Sequence, residues 1–191
     1  MNHLQMRYAT AETKDAVLAA LRTTGNPDGA LADVMAGLTE RTLKDTRRLG
    51  ADLHEAMMGN LTGAVDAANE VGAEMEIAAR MIMAGTLRGA GQVGRSTVDI
   101  ANESAATLVH GAYEVGSNVV DAAQGAVAGA MDSARALGVT VEEAATAAAQ
   151  GALRGAGDID RTSWREVRRV LVESVQGFDL ALPENRPLSF I

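Results

Sequence analysis

The sequence contains no cysteine, and only five of its 191 residues are aromatic. The absence of cysteine excludes disulfide bonds, iron–sulfur clusters and thiol chemistry from the chain. Aromatic side chains normally supply much of the area that a globular core buries. A core without them has to be built from thin helices that pack closely, or from contacts between chains.

Proline is also scarce, since it occurs only at Pro27, Pro183 and Pro187. The long middle of the chain therefore lacks the strongest helix breaker, and we expect an all-α fold.

The first residues hold no apolar run of signal-peptide length, and no uncharged stretch reaches the length of a membrane span. We expect a cytoplasmic protein that associates peripherally with the cell membrane. The net charge of −8 argues against a nucleic-acid partner.

Two glycine-rich segments resemble each other closely. They are "GTLRGAGQVGR", from Gly85 to Arg95, and "GALRGAGDIDR", from Gly151 to Arg161. Their first glycines are separated by 66 positions, which is three times 22. A helical repeat with a period of 11 or 22 is the simplest explanation of this duplication.

Titratable residues recur every 11 positions, with one exception in fourteen at Ile77. The charged series is Arg22, Asp33, Lys44, Glu55, Asp66, Ile77, Arg88, Asp99, His110, Asp121, Asp132, Glu143, Arg154 and Arg165. Eleven residues make three helical turns of about 3.67 residues each. The series therefore predicts a solvent-facing ridge of charge.

Two apolar series recur every 22 positions. The first is Leu43, Val65, Leu87, Val109, Met131, Leu153 and Val175; the second is Leu49, Val71, Val93, Val115, Leu137 and Ile159. On a continuous helix these two series would enclose one apolar face about 130° wide. We predict that this face packs against other helices or lines an apolar space. A single copy of the chain is not expected to cover it, so we predict long amphipathic helices in an oligomeric bundle or tube, with the helix break points left open.

Glycine is frequent in two arrangements. One set follows the second apolar series, at Gly50, Gly72, Gly94, Gly116 and Gly138, and another set forms pairs four residues apart, at Gly59/Gly63, Gly85/Gly89, Gly125/Gly129 and Gly151/Gly155. Each glycine costs a helix about 1 kcal/mol relative to alanine, so we expect the missing side chains to serve close helix approach. The alternative is that they loosen a helix that folds only with a partner.

The pattern divides the chain into three parts. Residues 1–28 are predicted to be an N-terminal docking arm, residues 29–159 the helical repeat, and residues 160–191 an amphipathic helix with an extended tail. Within the repeat, Thr140 and Glu143 predict a capping box at a helix start.

The C-terminal helix combines a tryptophan, an aliphatic stripe and arginines. The residues predicted to lie in a membrane interface are Trp164, Arg165, Arg168, Arg169, Leu171, Val175 and Phe178. The alternative is a terminal helix that closes the core, with its arginines offsetting the negative charge of the acidic stretch before it.

No cluster of residues indicates catalysis. "GAGQVG", from Gly89 to Gly94, matches the dinucleotide-binding fingerprint, but a helical pattern precedes it where that site needs a strand. None of the three histidines has companions at metal-site spacing. We expect no catalytic residue, no metal site and no covalently bound cofactor.

Two resemblances add to this interpretation. The helical repeat resembles the amphipathic repeats of apolipoproteins and phasins, which coat lipid or polyester surfaces. The chain length, the Gly/Ala helix "GSNVVDAAQGAVAGAMDSARALG" and the Trp/Arg C-terminus resemble the scaffold or stalk subunit of mycobacterial high-affinity uptake nickel–iron hydrogenases. The second resemblance implies a homotetramer that gathers the hydrogenase large and small subunits. It also implies an apolar tube that carries menaquinone, as a transported ligand, between membrane and enzyme.

The function predicted from the sequence is accordingly a non-catalytic, membrane-associated scaffold that encloses an apolar space for quinone or lipid. One alternative is a lipid- or granule-coating protein of the phasin or apolipoprotein type. A second is a soluble desiccation-type or disordered helix that folds only when crowded.

Overall fold

The prediction of an all-α chain is confirmed in a computed structural model, which describes residues 3–23, 25–49, 53–94, 96–174 and 182–183. Its helices are α1 His3–Thr23, α2 Pro27–Leu49, α3 Leu53–Glu70, α4 Met75–Gln92, α5 Thr97–Glu114, α6 Val119–Ala134, α7 Val141–Ile159 and α8 Arg161–Ser174. A single 3-10 turn, Arg135–Leu137, extends α6. The part of the chain described here contains no strand.

Five successive helices begin at a regular spacing of 22 positions. Their first residues are Leu53, Met75, Thr97, Val119 and Val141. Helices α3, α4 and α5 each contain 18 residues. The period of 22 therefore counts one helix and one short connection. The helix break points that the sequence left open fall in these connections, because a turn interrupts the chain within every period.

The glycines that follow the second apolar series end these helices. Gly72, Gly94, Gly116 and Gly138 have φ angles of 70°, 67°, 72° and 74°. Residues with a side chain are strained in this left-handed region, whereas glycine adopts it freely. A Cβ atom added at any of the four would meet nothing within 4 Å. The prediction that they serve close helix approach is therefore wrong; Gly50 lies outside the described residues.

Polar side chains cap the beginnings of the helices. Ser96, Asn118 and Thr140, which follow one another at the same regular spacing, accept hydrogen bonds from backbone N–H groups in the first turns of α5, α6 and α7. The predicted capping box is confirmed, because Thr140 Oγ1 accepts from the Glu143 N–H at 3.1 Å and Glu143 Oε2 accepts from the Thr140 N–H at 3.0 Å. Asp160 caps α8 in a similar way. These bonds satisfy N–H groups that a helix leaves without an internal partner.

The helices form two layers. Helices α1, α3, α5 and α7 lie in one layer, and α2, α4, α6 and α8 lie in the other. Each helix contacts the next helix of its own layer and its sequence neighbour in the opposite layer. Neighbours within a layer run parallel, as shown by Gly85 and Gly89 of α4, which meet Ala32 and Ala36 of α2 in the same order.

One continuous hydrophobic core joins the layers, and it extends from Val17 in α1 to Leu171 in α8. Val17 and Leu18 belong to the predicted docking arm, yet they pack in this core together with the helices of the repeat. A single chain also covers most of its own apolar residues, contrary to the prediction that it cannot. The geometric reason is that turns fold the apolar faces of successive helices onto one another.

Candidate functional site

Close contacts between parallel helices depend on the paired glycines. A Cβ atom on Gly85 or Gly89 would lie under 3.0 Å from α2 backbone, on Gly125 or Gly129 from α4 backbone, and on Gly151 or Gly155 from α5 backbone. Gly63 of α3 meets the carbonyl oxygen of Thr10 in α1 in the same manner. The predicted close approach is confirmed for these glycines. Carbonyl oxygens occupy the space in which side chains would otherwise keep the helices apart.

The first apolar series lies inside the core. Leu43, Val65, Leu87, Val109 and Leu153 are at most 1% exposed. Met131 is half-buried, and Val175 lies outside the described residues. Within the single chain these side chains pack against helices of the same chain. They do not line an open conduit.

The second apolar series lies at the ends of helices. Val93, Val115, Leu137 and Ile159 are half-buried and pack against the core, whereas Val71 is 41% exposed. The backbone of Leu49 ends α2, and its side chain lies outside the described residues. The described members of both series, apart from Val71, thus pack in or against one core. The first series lies within helices, and the second lies at their ends.

Helix α8 closes one end of the core. Trp164, Val167 and Leu171 are buried, and α8 contacts both α6 and α7. The guanidinium of Arg168 lies 6.0 Å from the centre of the Trp164 ring, and its Nε donates to the carbonyl oxygen of Pro183 at 3.0 Å. The membrane-facing prediction is wrong for Trp164 and Leu171, because both side chains lie against protein. The core-closing alternative describes them correctly.

The remaining residues predicted at a membrane interface divide into two groups. Arg165 and Arg169 are exposed. Val175 and Phe178 lie outside the described residues. Within the described ranges, no helix is both long and apolar enough to span a bilayer.

Ion pairs connect helices that are neighbours within a layer. Lys14 Nζ of α1 lies 2.9 Å from Asp66 Oδ2 and 2.8 Å from Glu70 Oε2 of α3. Hydrogen bonds to these carboxylates raise the pKa of Lys14, and the hydrogen bond from Lys14 lowers the pKa of Glu70. Arg88 of α4 pairs with Asp33 of α2 at 2.7 Å. The 11-residue series predicted a charged ridge but not these partners, because its spacing says nothing about which helices meet.

A buried polar network joins the first three helices, and sequence reasoning missed it. Thr13 Oγ1 donates to Asn60 Oδ1 at 3.1 Å, and Asn60 Nδ2 donates to Thr42 Oγ1 at 2.7 Å. Asn60 is 5% exposed. The one signal in the sequence was an amide side chain within the otherwise apolar stretch "MMGNLTG".

The residues considered for chemistry lie apart from one another. "GAGQVG" forms the end of α4 and the turn after it, and Gly89 lies against α2. His110 Nδ1 lies 3.6 Å from Glu114 Oε1 on the same helix. Among the residues that the structure places, no group of three His, Cys, Asp or Glu side chains could hold a metal ion.

The described residues form two surface depressions that are large enough to receive a ligand or a partner's side chains. The first, of about 520 Å³, lies between α2, α4 and the end of α6 and includes Arg88, Asp132 and Leu137. The second, of about 390 Å³, lies where the end of α1 and the start of α2 meet the α3–α4 turn. We call the second depression the Val71–Ile77 groove; it is lined by Leu21, Arg22, Pro27, Asp28, Leu31, Val71, Ala73, Glu74, Ile77 and Ala78.

Comparison with known proteins gives no assignment. No protein-family model matches the chain, and no curated protein matches it significantly.

Proposed function

We propose that the chain is a non-catalytic helical scaffold that holds other proteins in position. The observation that supports this function best is the continuous core from Val17 to Leu171, which a single chain builds by stacking parallel helices. Each helix in such an array needs to contact only its neighbours, so the outer faces are available for partners. Extended arrays of helix pairs commonly bind other proteins on these faces.

The narrower function implied by the hydrogenase resemblance stays a prediction. In it the chain is a homo-oligomeric stalk, with a tetramer favoured, that gathers the large and small hydrogenase subunits at the membrane and passes menaquinone to them. The first apolar series packs against other helices of the same chain. A quinone path would therefore have to lie between copies of the chain. Arg165 and Arg169 are exposed on α8, and an anionic lipid surface attracts cations of this kind.

A coating function of the phasin or apolipoprotein type places a different demand on the fold. The layers would have to separate, because the apolar residues that would meet lipid are buried between them. A coat therefore requires a large change in structure on lipid binding, whereas a scaffold keeps the layers closed.

Affinity purification of the full chain from its native cells tests the scaffold function. We expect defined stoichiometric partners, identified by mass spectrometry, and helix content that lipid vesicles leave unchanged. The hydrogenase prediction requires the large and small subunits among those partners and quinone in an organic extract of the complex. Purification without any stoichiometric partner, combined with a structural change on vesicles, would contradict the scaffold and favour the coat.

The membrane contact can be tested without opening the core. Deletion of α8 would expose the residues that Trp164 and Leu171 cover, so the charge-reversal pair Arg165→Glu and Arg169→Glu is the better variant. We expect it to release the complex from membranes, whereas Arg154→Glu on α7 serves as the exposed control. Equal retention of both variants on membranes would contradict a contact through α8.

A further inference from the structure

The Val71–Ile77 groove contains two of the large apolar side chains that are exposed in the described part of the chain. Val71 and Ile77 are each 41% exposed, and both line this depression. Leu21, Leu31 and Ala78 form its deeper wall. Side chains of this size are normally covered when a neighbouring helix is present, so the groove offers a place for apolar side chains from outside the chain.

Ile77 also interrupts the charged series. None of the fourteen positions in that series is buried, and thirteen of them carry a titratable side chain. Position 77 is thus a surface position at which the chain carries isoleucine where the equivalent positions carry charge. The sequence and the structure single out the same residue independently, and it lies on the groove.

The rim of the groove is acidic. In the described part of the chain, the carboxylates of Asp28 and Glu74 make no hydrogen bond or ion pair, and Glu74 does not cap its helix through its side chain. The cation on the rim, Arg22, donates to Glu70 Oε1 at 3.3 Å. Two carboxylates are thus left to attract positive charge beside an apolar floor.

The larger depression lacks this combination. Its arginine, Arg88, is paired with Asp33 at 2.7 Å, and its carboxylate, Asp132, is paired with Arg80 at 2.6 Å. Its charges are therefore matched within the chain. Only the Val71–Ile77 groove, of the two, combines exposed aliphatic side chains with unmatched charge.

We propose that the Val71–Ile77 groove is a docking site for a segment of another protein that carries apolar side chains beside lysine or arginine. The partner's apolar side chains would contact Val71 and Ile77, and its cations would pair with Asp28 and Glu74. Charge complementarity of this kind speeds association and selects partners. A second copy of the chain fits less well, since each copy carries a net charge of −8 and copies repel one another.

This proposal rests on the scaffold function, but it is tested separately. The probe is a fluorescent amphipathic helical peptide with a leucine stripe flanked by lysines, and the control peptide has glutamates in place of the lysines. Binding to the full chain is measured by anisotropy at several salt concentrations. We expect the lysine peptide to bind at least about tenfold more tightly than the glutamate peptide, with the difference shrinking as salt rises.

Two variants locate the binding site. Ile77→Glu gives position 77 a titratable side chain, as at the other positions of its series, and removes the apolar contact. We expect it to weaken binding of the lysine peptide at least about tenfold, as loss of a central contact does. The double variant Asp28→Asn, Glu74→Gln should remove the preference for lysine over glutamate. Val172→Glu is the matched control, because Val172 is 54% exposed on α8, away from the groove. Circular dichroism should show the same helix content in all variants.

Several results would overturn the proposed docking site. The proposal fails if the lysine peptide does not bind, if both peptides bind equally, or if Ile77→Glu and Val172→Glu behave alike. It also fails if the unmodified chain self-associates in light scattering and Ile77→Glu abolishes that association, since the occupant is then a second copy. The scaffold function would survive any of these results provided that native partners still co-purify.

Discussion

The backbone carbonyl of Asn102 in α5 occupies the space where a Cβ on Gly151 of α7 would lie. Three atoms of Asn102 are within 3.0 Å of that point, and all of them belong to the backbone. Backbone cannot rotate out of the way as a flexible side chain can. The distance between these two parallel helices is therefore set by the absence of a side chain at position 151.

Replacement of Gly151 by alanine should consequently destabilise the fold. Overpacking of this kind typically costs about 1–3 kcal/mol, and a contact with backbone belongs at the upper end. Gly37→Ala is the matched control, because Gly37 lies within α2, is exposed and would have nothing within 4 Å of its Cβ. There the same change should stabilise the protein by up to about 1 kcal/mol. Chemical denaturation of both variants measures the two changes in the free energy of unfolding. If the two changes have the same sign, the close packing at Gly151 is contradicted.

Replacement of the glycines in the turns should destabilise the fold for a different reason. Gly116→Ala should cost about 1–2 kcal/mol, because φ is 72° at this position and alanine is strained there, although space is available. Gly116→Asn should recover part of that loss, since asparagine tolerates the left-handed conformation better. Thermal melts of the two variants provide the comparison. If alanine and asparagine are equally harmful, the cause is not the backbone conformation.

The buried network around Asn60 predicts a polar contribution to stability. Asn60→Ala removes two hydrogen bonds and leaves the buried Thr13 hydroxyl without its Asn60 acceptor, at a cost of about 1–3 kcal/mol. The double variant Thr13→Val, Asn60→Leu removes polar atoms from both sides of one bond and should recover part of the loss. Denaturation midpoints report the difference. A double variant that is no more stable than Asn60→Ala would contradict this explanation.

The ion pair between α1 and α3 predicts a defined pH dependence. The folded-state pKa of Glu70 is lowered by its hydrogen bond with Lys14, so its contribution is complete above the ordinary value of 4.5 and is lost as the pH falls through the folded pKa. The pKa of Lys14 is raised above its ordinary value of 10.5, so its contribution is present below that value and is lost as the pH rises through the folded pKa.

The pair should therefore stabilise the fold between about pH 4.5 and 10.5, which are the ordinary pKa values of its two members. Lys14→Met should lower the melting temperature most near neutral pH, and its difference from the unmodified protein should shrink below pH 4.5. Lys44→Met is the control, since Lys44 pairs with Glu40 at the surface of a single helix, α2. A difference between Lys14→Met and the unmodified protein that is constant with pH would mean that the ion pair is not responsible.

Composition and spacing predicted much of the fold, but they did not predict its topology. The scarcity of proline predicted helices, and the glycine pairs four residues apart predicted close helix approach. A period of 22, however, fits either six turns of helix or one helix with its turn. The sequence did contain a distinguishing signal, since Gly94, Gly116 and Gly138 are each followed two residues later by a capping residue, Ser96, Asn118 or Thr140.

The C-terminal helix shows why amphipathicity alone cannot identify a surface. A stripe of Trp164, Val167 and Leu171 has the same spacing whether it meets lipid or the core of the protein. The structure buries these side chains, and α8 contacts its neighbour α7 and the more distant α6. The Val71–Ile77 groove likewise could not be predicted from the sequence, because its walls come from two separate helix connections.

The central claim is that one chain closes its own apolar faces, so that folding does not require a second copy. The concentration dependence of the thermal unfolding midpoint tests this most directly, because a fold completed by self-association gains stability by mass action. Measured without detergent over a hundredfold range of protein concentration, the midpoint should stay constant. A midpoint that rises steadily with concentration would contradict the claim and would favour the predicted oligomeric bundle or tube as the folded unit.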